Sequence, residues 1–570
     1  MEDQEIQETP SRLLLAMSTR KRDWAEFPAE DKYMAALEMR SRVLQAAARW
    51  GRAAAEVRGT DREIIAAQEL TLMLAPLANY LDGLLATLGP VKTGEALLVP
   101  PVARRGEDSE TLKAFPWGTV QTWLSLLGWA LSTEVTIGRQ DRSGSAARRP
   151  PPAGGEGELV LVSGAGYGPV ELLAACMHAA FVQGAVVGLA LPPRLAPLQL
   201  LFEYIMTPLA QHAFFASFVV DGAEATVPDL ADLPGVDRLH LVGFTPEAVA
   251  ELLGGAPTPV TISGSVHGPS PTIVVPGKWT GTQMKHNAFQ LAEAFAYAGS
   301  AAPHATRVVV LPADWELADE LISVVKRELK DYRRPPALED GMEVRQAEFV
   351  EAYGDRVWTS PARPASDLPA AATPAPAWSV AVLDGAPDRG SALELALLKD
   401  PRAPFLTFVK VSEPDLASYL EAAVALVNTR VRGAFAANVV AQNKLDKASR
   451  ALVDKALDDL EYGFVGLNMP PLVAPLAAQA HWGAYAGADG QAVEAGFRQT
   501  SVAGNALMLR GVRKSVSRLP FESFLHQLPP EHFHTLLRTA RTTAVSLVDG
   551  LRGFWRGIND KTTIPGQDRD

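Results

Sequence analysis

The sequence predicts an α/β protein built on a doubly wound parallel sheet, with a second α/β unit behind it and a short β arm. Three features carry that expectation. Short apolar runs alternate with helix-length segments from residue 159 onward, the alternation resumes after residue 279, and brief β-branched segments stand apart from both units.

At 570 residues the chain is too long for one hydrophobic core, so two or three cooperating domains are expected. Trp24, Phe27, Tyr33, Leu37, Leu44 and Trp50, then Leu70, Leu74, Leu77, Leu81 and Leu84, recur at threes and fours, which makes amphipathic helices. Residues 1–113 therefore read as a helical N-terminal part. Residues 114–139 mix aromatic and β-branched types, as strands or a short helix would, and 143–158 is a Gly-, Pro- and Arg-rich solvated loop, so 114–158 reads as arm and linker.

Within 159–278 the order is ELVLVSG, a helix, GAVVGLAL, a helix over 200–210, FFASFVVDG, DRLHLVGF and a helix opening at Pro246, then the strand PTIVVP. Parallel strands with covering helices account for this order. Residues 279–464 hold the second unit: a long helix over 280–299, an apolar strand at 307–311, a Pro/Ala-rich surface loop over 361–378, the strands WSVAVLDG and PFLTFVKV, and a helix from 415 to 427. Residues 465–529 return to strand and loop, with KSVSRLPF patterned as an edge strand suited to pairing across a subunit interface. Residues 530–570 read as a helix and polar tail.

Composition narrows the function classes. Acidic residues outnumber basic ones, 65 to 53, for a net charge of -12, which disfavours a duplex phosphate backbone, so no nucleic-acid partner is expected. The single cysteine, Cys176, rules out an intramolecular disulfide and a CxxC metal site and fits a reducing, cytoplasmic setting. MEDQEIQETPSR is polar and acidic, unlike a secretory signal. The apolar stretch 159–193 carries only Glu171 as a formal charge, but Gly164, Gly166, Gly168 and Pro169 cut it into strand, turn and helix, so it reads as buried core and no membrane span is expected.

Several segments then line up in order: 161–193 with its GAGYGP turn, 236–250 with a strand ending at Gly243, Phe244 and Thr245, SGSVHGPSPTIVVPGKW at 263–279, the turn and strand at 298–310, NTRVRGAFAAN at 428–438, and 465–487. This series resembles the aldehyde dehydrogenase superfamily, in particular its divergent bacterial branch, over residues 20–525. SPTIVVPG, matching the strand that carries E-L-G-G-K-S-P, is the most specific of the matches, and no motif is intact. The resemblance implies an aldehyde dehydrogenase-like fold: a Rossmann-type cofactor domain at 159–278, a catalytic-type domain at 279–464, and a β oligomerisation arm assigned to STEVTIG and KSVSRLPF. It also implies NAD or NADP as cofactor and assembly as a homo-oligomer, dimer or tetramer, or with an active relative.

In the family a cysteine attacks the aldehyde, hydride passes to nicotinamide, and a glutamate activates water to release the acid. An asparagine amide steadies the oxyanion. Anchoring the nucleophile segment on Gly299 and Arg307 places Ala302 at the cysteine position, and counting back from Leu311 and Pro312 places Pro303 there. Neither is a nucleophile. Counting back from Ser270 puts Ser265 at the base position, and the oxyanion position holds Tyr167, whose phenol can still donate. Cys176 lies in the other domain and reads as a small core residue.

On the cofactor side, the resemblance places Ala190 where the family has a lysine and Phe244 where it has a turn serine. Gly164, Gly166, Gly243 and Thr245 remain as backbone positions able to favour an anion near a helix N-terminus, and Asp400 matches the glutamate that binds the nicotinamide ribose. Ser300 with His267 and His304 invites a hydrolase reading, but no acid is placed beside them and no G-x-S-x-G turn occurs. His526, His532 and His534 lack a placed carboxylate and read as solvent-facing, so no metal is expected. The expected function is an aldehyde dehydrogenase-like protein inactive in aldehyde oxidation, serving as a binding, scaffolding or partner subunit. The alternative is an NAD(P)-dependent oxidoreductase acting on an aldehyde or acyl group.

Overall fold

Two sheets with parallel cores organise the computed structural model, one of 11 strands and one of six. It describes residues 9–59, 66, 69, 74–93, 100–105, 109–115, 132–138, 155–220, 227–245, 249–250, 260–265, 268–332, 334–361, 373–442, 444–472, 482–485, 497–499, 506–509 and 511–519. The helix expected from residue 530 and the three C-terminal histidines lie outside them.

The N-terminal part is helical: α1 (Pro10–Ser18), α2 (Lys21–Ala25), α3 (Ala29–Val57) and α4 (Ala75–Thr93). In α3 the buried residues Ala35, Ala36, Met39, Val43, Ala46, Trp50 and Ala54 fall at helical spacing. That stripe packs Trp50 on Phe202, ring centroids 5.3 Å apart, and an Arg40–Asp82 ion pair ties α3 to α4.

A hairpin follows, β1 (Val102–Arg105) and β2 (Ser109–Phe115), with β3 (Ser132–Gly138) antiparallel to β2. Next come β4 (Leu159–Gly164), α5 (Pro169–Phe181), β5 (Val186–Leu191), α6 (Gln199–Ala210), β6 (Phe215–Val219), β7 (Arg238–Val242) and β8 (Thr261–Ser265). All residues of β5 and of α5 are buried, which is why this stretch reads as a nearly unbroken apolar run. Pro169 opens α5 at its first turn, where the missing N–H costs nothing. The six-stranded order is β16-β8-β7-β4-β5-β6, with β16 at Phe497–Gln499. Chain order reverses between β4 and β7, the position where an open sheet forms a crevice at its carboxyl edge.

The chain crosses to the larger sheet between Ser265 and Ser270, ahead of the passage expected near Trp279, because β9 (Ser270–Val274) pairs with β10 (Thr306–Pro312) rather than with β8. The helix between them, α7 (Gly281–Ala296), starts on a capping box in which the Thr280 hydroxyl and Gln283 side chain each bond the other's backbone N–H. Then follow α8 (Ala318–Asp331), α9 (Met342–Tyr353), β11 (Val357–Thr359), β12 (Ser379–Leu383), β13 (Phe405–Val411), α10 (Leu416–Arg430), β14 (Ala436–Val440), α11 (Lys447–Asp459), β15 (Phe464–Leu467) and β17 (Val512–Arg518). Asp415 and Asp446 cap α10 and α11 through Ser418 N and Ser449 N, each at 2.8 Å. Tyr419 of α10 donates to Val274 O at 2.8 Å, fixing the helix over β9.

The order β1-β2-β3-β17-β15-β14-β9-β10-β13-β12-β11 corrects one expectation. KSVSRLPF is not an edge strand: β17 pairs antiparallel with β3 on one side and parallel with β15 on the other. STEVTIG and KSVSRLPF therefore pair with each other. Buried Lys514 adds a reason for that placement, donating to Leu457 O at 3.0 Å and Leu460 O at 2.8 Å at the carboxyl end of α11. No described helix is long and apolar enough to cross a membrane.

Candidate functional site

The turns after β4 and β7 meet the loop between α7 and β10 at the crevice of the smaller sheet. Ala165 N donates to Val242 O at 2.9 Å, so the two turns are stitched together. Gly166 sits at φ +71, and a side chain there would meet Ala301 O at 2.9 Å and Pro303 Cγ at 3.0 Å. Gly243 sits at φ +76, where a side chain would meet Ala165 O at 2.4 Å and the same Pro303 Cγ at 3.0 Å. Tyr167 N completes the seam by donating to Ala301 O at 3.0 Å. The pyrrolidine of Pro303 is thus wedged against both glycine turns.

The loop itself is held in an unusual shape. Ala298, Gly299 and Ser300 have φ of 52, 66 and 64, a left-handed run that costs about 1–2 kcal/mol at each non-glycine position. Ser300 Oγ donates to Phe295 O at 2.6 Å, and Arg307 Nη2 donates to Ser300 O at 2.6 Å. Those bonds supply the compensation, and they occupy the Ser300 hydroxyl that the hydrolase reading would need. Ala302 is fully buried.

Tyr167 is also fully buried, among groups that no local motif announces. Glu69 Oε1 accepts from Arg58 Nη1 and from Tyr297 Oη, both at 2.9 Å, and the Arg58 guanidinium lies 4.6 Å from the centre of the Tyr297 ring. The Tyr167 ring is 6.2 Å from that of Tyr297. Burial raises the Tyr167 phenol well above its ordinary pKa, reinforced by the Glu69 charge, so it stays protonated. Ser265 ends β8, its backbone in register with Val242, and His267 lies outside the described residues.

His304 faces Glu171, Nδ1 to Oε1 at 3.1 Å, and both side chains are fully buried. The contact is close but misaligned for a hydrogen bond, since neither Glu171 oxygen meets hydrogen-bond geometry. The His304 ring stacks on Phe435 at 6.3 Å. This pair joins the first turn of α5 to the loop between α7 and β10. Its members are 133 positions apart (304 minus 171), so sequence spacing offered no signal for it.

On the cofactor side, Asp400 Oδ1 accepts from Arg307 Nε and from Arg402 N, each at 2.8 Å, in a pair whose side chains are 1% and 2% exposed. A side chain at Gly164 would meet Leu172 Cδ2 at 2.6 Å, so that position serves strand-helix packing. Thr245 O accepts from Val249 N at 3.1 Å. Ala190 is buried inside β5, between Ser163 and Phe218 on the neighbouring strands. The structure brings Gly166, Gly243, Tyr167, Ala302 and Pro303 together, while Asp400 is linked to them through Arg307, which also reaches Ser300 O, and through Arg402, whose Nη1 reaches Gly243 O at 3.4 Å. Pro303 therefore packs against both turns, and Arg307 holds the acid matched to the ribose-binding glutamate.

Cys176 is fully buried in α5, and desolvation raises its thiol far above the ordinary value, which makes it inert. Among the described residues no group of three or more His, Cys, Asp or Glu is placed to hold a metal. A cavity of about 590 Å³ lies elsewhere, between α11 and the ends of β14, β15 and β17, and its Arg104 and Arg518 are both paired with Glu134, at 3.0 and 2.9 Å.

No family model and no curated protein matches the chain. Solved structures do. A Burkholderia cenocepacia protein classed provisionally as an aldehyde dehydrogenase is similar at TM-score 0.58 and 14% identity, covering 89% of this chain and 92% of that one. A cysteine-to-alanine variant of aldehyde dehydrogenase C from Pseudomonas syringae, complexed with NAD+ and octanal, is similar at 0.53 and 13%, covering 80% and 81%. The NADP-dependent glyceraldehyde-3-phosphate dehydrogenase of Bacillus halodurans, complexed with NADP, is similar at 0.51 and 15%, covering 80% and 82%. Over most of its length, the chain has the aldehyde dehydrogenase fold.

Proposed function

We propose that this protein is a non-catalytic member of the aldehyde dehydrogenase fold, acting as a binding, scaffolding or partner subunit in a homo-oligomer or beside an active relative. The observation that carries this reading is the seat of Pro303, whose ring lies 3.0 Å from the side-chain position of both Gly166 and Gly243. A dinucleotide that used those turns would have to displace it. The chemistry points the same way, since Ala302 and Pro303 offer no nucleophile and the buried Cys176 thiol is not ionised at neutral pH.

Purified protein mixed with NAD+ or NADP+ and octanal, the aldehyde held by the Pseudomonas syringae structure, tests the proposal by absorbance of the reduced cofactor. No reduced cofactor above the protein-free control is expected. Steady production that survives Cys176→Ala would establish the oxidoreductase reading instead.

A further inference from the structure

Beside the Pro303 seam, three arginines from three separate segments converge on one carboxylate. Arg345 Nη2 lies 3.1 Å from Glu339 Oε2, Arg402 Nε 3.4 Å from the same oxygen, and Arg194 Nη2 3.7 Å from Oε1. Arg194, in the turn after β5, also donates to Gly166 O at 2.9 Å and Leu338 O at 3.2 Å. Arg345, in the first turn of α9, donates to Pro401 O at 2.8 Å and Asp340 O at 2.7 Å. The cluster therefore spans both units at the carboxyl edge of the smaller sheet, next to the point where its chain order reverses.

The charges do not balance. Three guanidinium groups face one buried carboxylate and the exposed Asp340, while Asp400 is already matched by Arg307. Their donors are not all used either. Arg402 makes a single long side-chain hydrogen bond among the described residues, Arg194 Nε has no hydrogen-bond partner, and neither has Glu339 Oε1. Arg402 is held at φ 41, a left-handed conformation that a side-chain-bearing residue keeps only when its surroundings enforce it. Burial lowers the pKa of both Arg194 and Arg345, with Glu339 opposing the shift and the neighbouring arginines adding to it. The side chains remain 18 to 27% exposed, so a small solute can reach them.

We infer that Arg194, Arg345 and Arg402 form a binding site for a small phosphate-bearing anion, with Glu339 as the internal counter-ion that the anion displaces or joins. Guanidinium forks match phosphate oxygens in geometry and charge. The inference goes beyond the non-catalytic reading, because it assigns the crevice a ligand class that needs neither the nucleophile nor space for a nicotinamide. Inorganic phosphate and a phosphate ester share this chemistry, and competition separates them.

Inorganic pyrophosphate, with inorganic phosphate in parallel, is titrated into the full chain at constant ionic strength and followed by melting temperature and isothermal calorimetry. A saturable rise with pyrophosphate is expected, absent with sodium chloride. Phosphate competing at equal concentration would mark the free ion as the ligand, and much weaker competition would mark a larger phosphate compound. Arg402→Gln should weaken binding roughly tenfold or more, and Arg104→Gln, remote from the cluster, should leave it unchanged. Glu339→Gln should tighten it, an effect that a merely structural carboxylate would not give. No saturable binding to the unmodified chain, or equal binding by Arg402→Gln, overturns the inference. The dinucleotide titration is read separately, so pyrophosphate binding without NAD+ binding leaves both proposals standing, and NAD+ binding without pyrophosphate binding removes both.

Discussion

Arg307 and Asp400 meet inside the second unit at 2.8 Å, 93 positions apart in sequence and almost wholly removed from water. Arg307 also reaches Ser300 O and Ala403 O, at 2.6 and 3.4 Å, so one guanidinium supports the loop that carries Ala302 and Pro303 and the turn that carries Asp400. The residue matched to a ribose-binding glutamate thereby does a structural job. Asp400→Asn should cost about 3–5 kcal/mol of stability, because it leaves a buried charge uncompensated. Urea unfolding measures this. An unchanged midpoint would mean that the acid is free for a ligand.

Restoring the nucleophile should not restore the reaction. Ala302→Cys and Pro303→Cys each supply a thiol at a position the resemblance matches to the nucleophile, but Asp400 remains bound to Arg307, and the resemblance matches Ser265, which cannot serve as a base, to the catalytic glutamate. Neither variant should reduce NAD+ in the presence of octanal. A turnover rate above that of the unmodified chain in either one would show that the crevice accepts cofactor after all.

Two glycines with similar backbone angles separate strain from contact. Gly184 at φ +74 has nothing within 4 Å of its side-chain position, whereas Gly243 at φ +76 would strike Ala165 O at 2.4 Å. Gly184→Ala should cost only the left-handed penalty of about 1–2 kcal/mol. Gly243→Ala should cost clearly more, with the excess reporting the seam between the two turns. Equal melting temperatures for the two variants would contradict the packing described.

Acid should loosen the smaller sheet through His240. Burial, with Arg238 close by, lowers its pKa to about 3, and its Nδ1 lies 3.2 Å from Ser263 Oγ. The folded chain keeps this imidazole neutral, while the unfolded chain binds a proton below about 6.5. Stability is therefore full above pH 6.5 and falls as the pH drops toward 3, by about 1.4 kcal/mol per unit for one group. His286, lowered to about 4 by burial, adds to the same slope over its upper part. His240→Gln should flatten the slope of unfolding free energy against pH between 6 and 4, and an unaltered slope would mean that His240 titrates normally.

The fold was legible because its strands are short apolar runs bounded by glycine and proline, as LVLVSG and SPTIV show, and its helices open on readable caps such as Thr280 with Gln283. The arm was legible as strands but not in its pairing: nothing local in KSVSRLPF says that β3 and β15 cover both its edges. The same limit applies to the site. Sequence position singled out Tyr167, Ala302 and Pro303, which the fold places side by side, whereas Glu69 beside Tyr297, Glu171 beside His304, and the three arginines around Glu339 are partnerships between distant positions, which carry no periodic signal.

On the proposed reading, the crevice holding Pro303 should not accept a nicotinamide dinucleotide. Calorimetric titration of the full chain with NAD+ and NADP+ tests it most directly. No saturable binding is expected at millimolar nucleotide, and micromolar binding of either one would contradict the non-catalytic reading.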